Sequence, residues 1–337
     1  MAEGRDLPIA VIVEREGLGD ALLKLPLLRA IARGFPGRPI WWIANFQSAM
    51  ADTLRPYTAS LVAEVRTHQQ ITKPFWRVIP RLRAYPPFSL VFDTRGRVMT
   101  VWAARVFLDC REYYCCIPGY LFAHRRPAGR WKRPRHIGER ALSMAGAALQ
   151  GPADYSGRLE CGEAARAAAR ALLPEGKTYV GLAVGSREAR KNWPLPRYAA
   201  LARALIERGR VPVLLVGPQE REIAEEIRGL APGAIAVDFN GLDPKPAIGE
   251  LDGAIAVAER LAVVVANDSG LGHLFGSAGR PIVSLFGPTD PRRWAPFAPA
   301  RRIVRAQDFG GEGMDRIPEE AVLKAVDDLL ASPLAPV

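Results

Sequence analysis

Short apolar runs recur along the chain, each stopped by glycine, proline or charge, and most lead into a segment with helical spacing. The first, Leu7 to Val13, carries Ile9, Val11, Ile12 and Val13 and gives way to Glu14-Arg15-Glu16-Gly17-Leu18-Gly19-Asp20. This predicts a strand, a glycine loop and a helix start. From Asp20 onward Leu22, Leu23, Leu27, Leu28 and Ile31 repeat at helical spacing, with Pro26 expected to kink the helix and Gly34 and Pro36 to close it. Pro39 to Ala44 and Leu90 to Phe92 read as further strands, the latter stopped by Asp93-Thr94-Arg95-Gly96-Arg97.

The texture changes after Gly151-Pro152, where an alanine- and arginine-rich helix, Ala164 to Leu173, ends at Pro174. A second alternating series follows. Strands are predicted at Tyr179–Val184, Val211–Val216, Ile235 to Val237, Leu261–Ala266 and Pro281–Phe286. Helices are predicted at Pro196–Arg208, from Glu220, over Lys245–Ala258 and from Gly270. Such alternation predicts an α/β fold with parallel sheets, whose ligands gather beyond the carboxyl ends of the strands. Two Rossmann-like domains of similar size are expected, 1–160 and 175–337, joined by 161–174. The last helix, Pro318 to Leu330, has Val322, Ala325, Val326, Leu329 and Leu330 on one face and should dock on the body.

Length agrees with two domains, since 337 residues exceed the roughly 250 to 300 at which single cores stop growing. A hydrophobic fraction of 49% and a charged fraction of 24% exclude wholesale disorder. The net charge of +11 is uneven. Residues 1–170 hold 26 basic and 14 acidic side chains, and residues 171–337 hold 20 and 21. The basic half calls for a polyanion, an anionic membrane surface or a phosphorylated substrate.

The longest uncharged runs, Pro39 to Ala51 and Ala141 to Ala153, are 13 residues each, short of the roughly 20 a spanning helix needs. The N-terminus lacks a small-residue cleavage site, so a cytoplasmic location is expected. Cys110, Cys115, Cys116 and Cys161 form no Cys-x-x-Cys pair and have no histidine at zinc-ligand spacing, so they read as reduced core residues and no metal site is expected.

Three loops carry candidate chemistry. Ala266-Asn267-Asp268-Ser269-Gly270-Leu271-Gly272-His273 stands where a strand gives way to a helix, whose amino end can bind phosphate or can simply be capped by Asp-Ser-Gly. His273 admits a core role as well. Val184-Gly185-Ser186-Arg187-Glu188-Ala189-Arg190-Lys191-Asn192-Trp193-Pro194 places a hydroxyl and three cations in another strand-exit loop, fit either to neutralise a diphosphate leaving group or to be a solvated basic loop. Leu285-Phe286-Gly287-Pro288-Thr289-Asp290-Pro291 by itself says only turn. Together these suggest a nucleotide or nucleotide-sugar site. In the first half, Gly17-Leu18-Gly19-Asp20 fails the dinucleotide fingerprint at Leu22, which removes a nicotinamide oxidoreductase. Asp20 either complements a helix dipole or acts as a general base.

In order and spacing these residues resemble glycosyltransferase family 9, the ADP-heptose:lipopolysaccharide heptosyltransferases, over nearly the whole chain. The resemblance is carried by Gly19-Asp20 with Leu25-Pro26-Leu27-Leu28-Arg29-Ala30, by Asp93-Thr94-Arg95-Gly96, and by Gly185-Ser186 with Lys191-Asn192-Trp193-Pro194. Leu215-Val216-Gly217, Asn267-Asp268-Ser269-Gly270 with His273, and Leu285-Phe286-Gly287-Pro288-Thr289 continue it. It implies the GT-B fold, two Rossmann-like domains facing across a cleft with the C-terminal helix packing back on the body.

The resemblance further implies an inverting, metal-independent and cofactor-free transfer of a sugar, heptose from ADP-heptose first of all, to a lipopolysaccharide core or related glycolipid. It makes Asp20 the base and gives Lys191 the donor diphosphate. Asp268, Ser269, Gly270, Leu271 and His273 would surround the donor's phosphates and sugar, with Ser186 beside them and Glu220 at the nucleoside. Ser186-Arg187 stands where the family commonly has two hydroxyl residues, and Phe275 and Gly276 partly replace small residues. Arg187 thus points to a donor of different charge, so a family member using another nucleotide sugar is one alternative. Arg95 and the basic stretch holding Arg125, Arg126, Lys132 and Arg133 are expected on the acceptor side, for an anionic glycolipid at the anionic inner face of the inner membrane. The other alternative is a non-catalytic binder of anionic glycolipid or another polyanion. Nucleic acid is not expected, because the basic residues are not interleaved with a stacking platform.

Overall fold

A computed structural model of the chain describes residues 7–72, 75–127, 133–217, 221–239 and 251–332. The chain divides into two compact units, Met1–Ser156 and Gly157–Val337.

The first unit runs β1 (Ile9–Val13), α1 (Leu18–Leu22), α2 (Leu25–Gly34), β2 (Ile40–Ala44), α3 (Arg55–Thr58) and β3 (Glu64–Arg66). It continues with α4 (Phe75–Arg83), β4 (Phe88–Asp93), α5 (Val98–Phe107), β5 (Cys110–Cys115) and α6 (Ile137–Leu149). The strands form one parallel sheet in the order β3-β2-β1-β4-β5. β1 is wholly apolar and wholly buried because helices cover both faces of a central parallel strand. The order reverses between β1 and β4, so a crevice opens beyond their carboxyl ends, where the Glu14–Gly17 and Thr94–Arg97 loops leave the sheet.

The single kinked helix expected from Asp20 is two helices. Leu23 and Lys24 separate α1 from α2, the Lys24 N–H donates to Ala21 O at 3.0 Å, and Pro26 occupies the first turn of α2, where its missing N–H costs no helical bond.

The second unit runs α7 (Glu163–Leu172), β6 (Tyr179–Ala183), α8 (Leu195–Glu207), β7 (Val211–Val216), α9 (Arg221–Leu230), β8 (Ile235–Asp238) and α10 (Asp252–Arg260). It ends with β9 (Val263–Asn267), α11 (Gly270–Ser277), β10 (Ile282–Phe286), α12 (Pro291–Trp294), β11 (Arg301–Arg305) and α13 (Glu319–Ala331). The parallel sheet has the order β11-β10-β9-β6-β7-β8, reversing between β6 and β9. α7, expected within the joining segment, packs on α10 in this unit, with Arg166 Nε 2.9 Å from Glu259 Oε2. The first residues of the helix expected over Lys245–Ala258 lie outside the described residues.

α11 sits hard against β9. A Cβ at Gly272 would come within 3.2 Å of Asn267 O, so the glycine permits this close packing. α13 packs on α8 and the sheet through Val322, Ala325, Val326 and Leu329. Among the described residues no helix is long and apolar enough to cross a membrane.

Candidate functional site

At the reversal between β6 and β9, two loops are tied together by one buried amide. Asn267 Oδ1 accepts the Trp193 N–H at 3.3 Å and lies 3.2 Å from the Tyr198 hydroxyl, which is also 3.1 Å from Ala183 O. Trp193 is fixed further by its Nε1–H, which donates to Ile317 O at 3.0 Å, and by an edge-on contact with Tyr198. The basic loop after β6 is thereby pinned beside the amino end of α11.

Lys191 Nζ lies 3.1 Å from Asp268 Oδ2 and 3.2 Å from Glu188 Oε1. The Thr289 hydroxyl donates to the same Asp268 oxygen at 2.8 Å, and the Asp268 N–H donates to Leu285 O at 3.1 Å. Three strand exits thus converge on Asp268. Burial alone would lower the Lys191 pKa, but the Asp268 charge and hydrogen bonds to Asp268 and Glu188 outweigh it and raise the ammonium above its ordinary value. A fixed cation therefore stands beside a helix start. Ser269 is the N-cap of α11 in extended conformation, yet its side chain makes no cap bond, and its buried Oγ has no partner among the described residues. First-turn N–H groups of a helix likewise lack intrahelical acceptors, which suits them to an anion.

Lys191, Asp268, Ser269, Gly270 and Leu271 gather at this edge, with His273 buried one turn into α11. Ser186 turns instead onto Glu188 O at 2.8 Å, and Arg187 is exposed. Glu220 lies outside the described residues. Sequence reasoning did not single out Thr289, Glu188 or Asn267 as site residues, although all three stand inside the quoted motifs.

In the first unit, Asp20 stands half-buried in the first turn of α1. Beneath it Lys24 Nζ meets Glu16 Oε1 at 2.5 Å and lies 3.4 Å from Asp20 O. The other Glu16 oxygen accepts Trp42 Nε1–H at 2.9 Å and the Ser48 hydroxyl at 2.8 Å. Among the described residues no group of three or more His, Cys, Asp or Glu is gathered to hold a metal ion.

Arg95 corrects the expectation of an acceptor contact. It is buried, with Nε donating to Asp93 Oδ1 at 2.9 Å and Nη2 to Asp93 Oδ2 at 2.6 Å. It also donates to Ile71 O at 3.0 Å and Thr100 O at 3.1 Å, so four of its N–H groups are committed within the protein. Burial works against its charge, but Asp93 outweighs burial and raises its pKa. Arg125 and Arg126 are exposed, Arg125 Nη2 lies 3.3 Å from Glu112 Oε1, and Arg133 is half-buried. Lys132 lies outside the described residues.

The family model for glycosyltransferase family 9 (heptosyltransferase) matches residues 118–314. A lipooligosaccharide heptosyltransferase 2 of Haemophilus influenzae is 33% identical over 115 residues, 34% of this chain and 32% of that protein. The match therefore spans about a third of that relative's length. Lipopolysaccharide heptosyltransferase 1 of Pseudomonas aeruginosa is 25% identical over 83% of this chain and 79% of its own. The solved structure of Escherichia coli heptosyltransferase WaaC with ADP is 20% identical and superposes with a TM-score of 0.65 over 95% of this chain and 99% of that one, a likeness of fold. With two parallel sheets of this order, the fold is that of the GT-B class. The chain belongs to glycosyltransferase family 9, the heptosyltransferase family.

Proposed function

We propose that the chain is an inverting transferase that moves heptose from ADP-heptose onto the anionic core of a lipid-anchored lipopolysaccharide acceptor, at the inner face of the membrane. The observation that carries this reading is the Lys191–Asp268–Thr289 cluster beside the start of α11. A cation held by a carboxylate, next to open helix N–H groups, meets the charge that develops on a departing diphosphate. Such a site needs no metal ion to neutralise the leaving group.

In the reaction, the Asp20 carboxylate takes the proton of the acceptor hydroxyl, and the oxygen attacks the anomeric carbon from the face opposite the diphosphate. One C–O bond forms as the bond to the phosphate oxygen breaks, and ADP departs with both electrons of that bond toward Lys191 and α11. Holding both substrates on one protein converts their encounter into a unimolecular step. Asp268 holds Lys191 in place, and Thr289 fixes the rotamer of Asp268.

A second reading, the same chemistry with a different nucleotide sugar, is favoured by exposed Arg187, a cation in the same loop free of burial constraints on what it meets. Titrating the protein calorimetrically with ADP-heptose and with UDP- and GDP-sugars tests both. Preference for a UDP- or GDP-sugar overturns the ADP reading, and undiminished turnover in chelator overturns a requirement for metal.

A further inference from the structure

The outer layer formed by α4 and α5 presents a surface that the proposed chemistry leaves unused. Trp76 is 73% exposed, Met99 59% and Val98 46%. A tryptophan that open to water is a large uncompensated apolar surface, and such residues mark interaction sites when they cluster. The topology clusters these. Both helices precede or follow parallel strands of one sheet, so their amino-terminal turns, holding Trp76 and Arg77 in α4 and Val98 and Met99 in α5, stand at the carboxyl edge of the sheet.

The buried Arg95 fixes this pairing. Its guanidinium bonds to Ile71 O, just ahead of α4, and to Thr100 O, in the first turn of α5, while Asp93 holds it from the end of β4. One core ion pair is therefore tied both to the first turn of α5 and to Ile71 in the segment that leads to α4.

The charge of this layer is one-sided. From residue 75 to 108 the only acidic side chain is Asp93, which Arg95 neutralises inside the core. The remaining charges are five arginines, Arg77, Arg81, Arg83, Arg97 and Arg105. Arg77, Arg81, Arg83 and Arg97 are exposed. Exposed tryptophan and aliphatic groups set among arginines match the boundary between lipid headgroups and acyl chains, where aromatic rings insert and guanidinium groups meet anionic phosphates.

We infer that the amino-terminal ends of α4 and α5 form a docking surface for an anionic phospholipid bilayer, with Trp76, Val98 and Met99 inserting and Arg77 and Arg97 contacting headgroup phosphates. The inference deepens the proposed function, because it assigns the surface on which a lipid-anchored acceptor is met, and it is read by a different measurement. The same sheet edge carries the Asp20 turn, so docking there brings the base of the first unit to the plane of the bilayer.

The test is co-sedimentation with phosphatidylcholine vesicles containing phosphatidylglycerol, compared with phosphatidylcholine alone. Wild-type protein is expected on the anionic vesicles, and the combined variant Trp76→Ser, Val98→Ser, Met99→Ser is expected to bind them roughly tenfold or more weakly. Its ADP affinity and its transfer to a delipidated, water-soluble acceptor should be unchanged, which shows that it is folded. Undiminished vesicle binding by that variant overturns the inference, as does loss of binding only on replacing Arg125 and Arg126 with Gln. A second measurement uses brominated phospholipid, which should quench tryptophan emission in the wild type and do so much less in Trp76→Phe. Equal quenching in both also overturns it. Failure of the transferase reading would show separately, as absent turnover on the soluble acceptor by wild-type protein.

Discussion

Lys24 and Glu16 form a buried ion pair, Nζ to Oε1 at 2.5 Å, across the turn that carries Asp20. Glu16 is 1% exposed and Lys24 8%, and the remaining Glu16 oxygen is bonded to Trp42 and Ser48. Removing one partner of such a pair leaves the other charged and dry. Lys24→Met is expected to destabilise the first unit by about 3–5 kcal/mol, whereas the double variant Glu16→Gln, Lys24→Met should recover much of that loss. Urea unfolding of the three proteins checks this, and a double variant no more stable than Lys24→Met would show that the pair is not the source.

Asp20 is expected to matter for turnover and not for donor binding. Asp20→Asn keeps the shape of the first turn of α1 but cannot take a proton, so kcat should fall by roughly 100-fold or more while ADP affinity holds. Steady-state kinetics with calorimetry separates the two, and near-normal kcat would remove Asp20 from the base role.

Lys191 should show the converse. Lys191→Met deletes the cation that Asp268 holds, leaving a carboxylate where the diphosphate is expected, and ADP affinity should fall roughly 10- to 100-fold. Affinity within a factor of two of wild type would argue that the diphosphate lies elsewhere.

The fold was legible in the sequence wherever a strand is central. Ile9–Val13 and Val211–Val216 lie inside their sheets and read as unbroken apolar runs, and Ile282–Phe286 is interrupted only by the small Ser284. The strands that the sequence did not disclose, β3, β5 and β11, are all at sheet edges. An edge strand is covered less completely and tolerates charge, as in Cys110–Cys115 with Arg111 and Glu112, or Arg301–Arg305 with three arginines. At the site, Asp268-Ser269-Gly270 was readable because a strand-to-helix junction is a local pattern. Arg95 misled because its partner, Asp93, lies only two residues away, and only the fold reveals that both point into the core. The Lys24–Glu16 pair was invisible because the partners stand eight positions apart across turn and helix, and their meeting depends on where α1 stops.

Burial gives the first unit a defined alkaline weakness. Burial pushes the Cys115 and Cys116 thiols up to about 12, while an unfolded chain titrates them near the ordinary value of about 8.5. Their folded pKa is raised, so the stability they contribute is complete below the unfolded pKa and is lost as pH rises toward about 12. The melting temperature should therefore fall above about pH 9, and less steeply in Cys115→Ala, Cys116→Ala than in wild type. Parallel slopes in the two proteins would assign the alkaline loss to other groups.

Glu188 competes for the cation that the donor would use. Its carboxylate lies 3.2 Å from Lys191 and 2.8 Å from Arg190, and hydrogen bonds from those two residues lower its pKa, so it is charged at neutral pH. An arriving diphosphate must displace this contact or share Lys191 with it, and the like charges repel. Glu188 is exposed, however, so solvent screens the interaction and limits it to a weak surface ion pair. Glu188→Gln should accordingly tighten ADP binding by a few-fold at most, with the gain shrinking as salt is raised, because screening weakens the repulsion being removed. Asp268, half-buried beside Lys191, is expected to do the opposite: Asp268→Asn releases the ammonium from its anchor and should weaken ADP binding. Calorimetry on both variants at low and high salt distinguishes the competitor from the anchor. Weaker binding in Glu188→Gln would mean that Glu188 also serves to position Lys191.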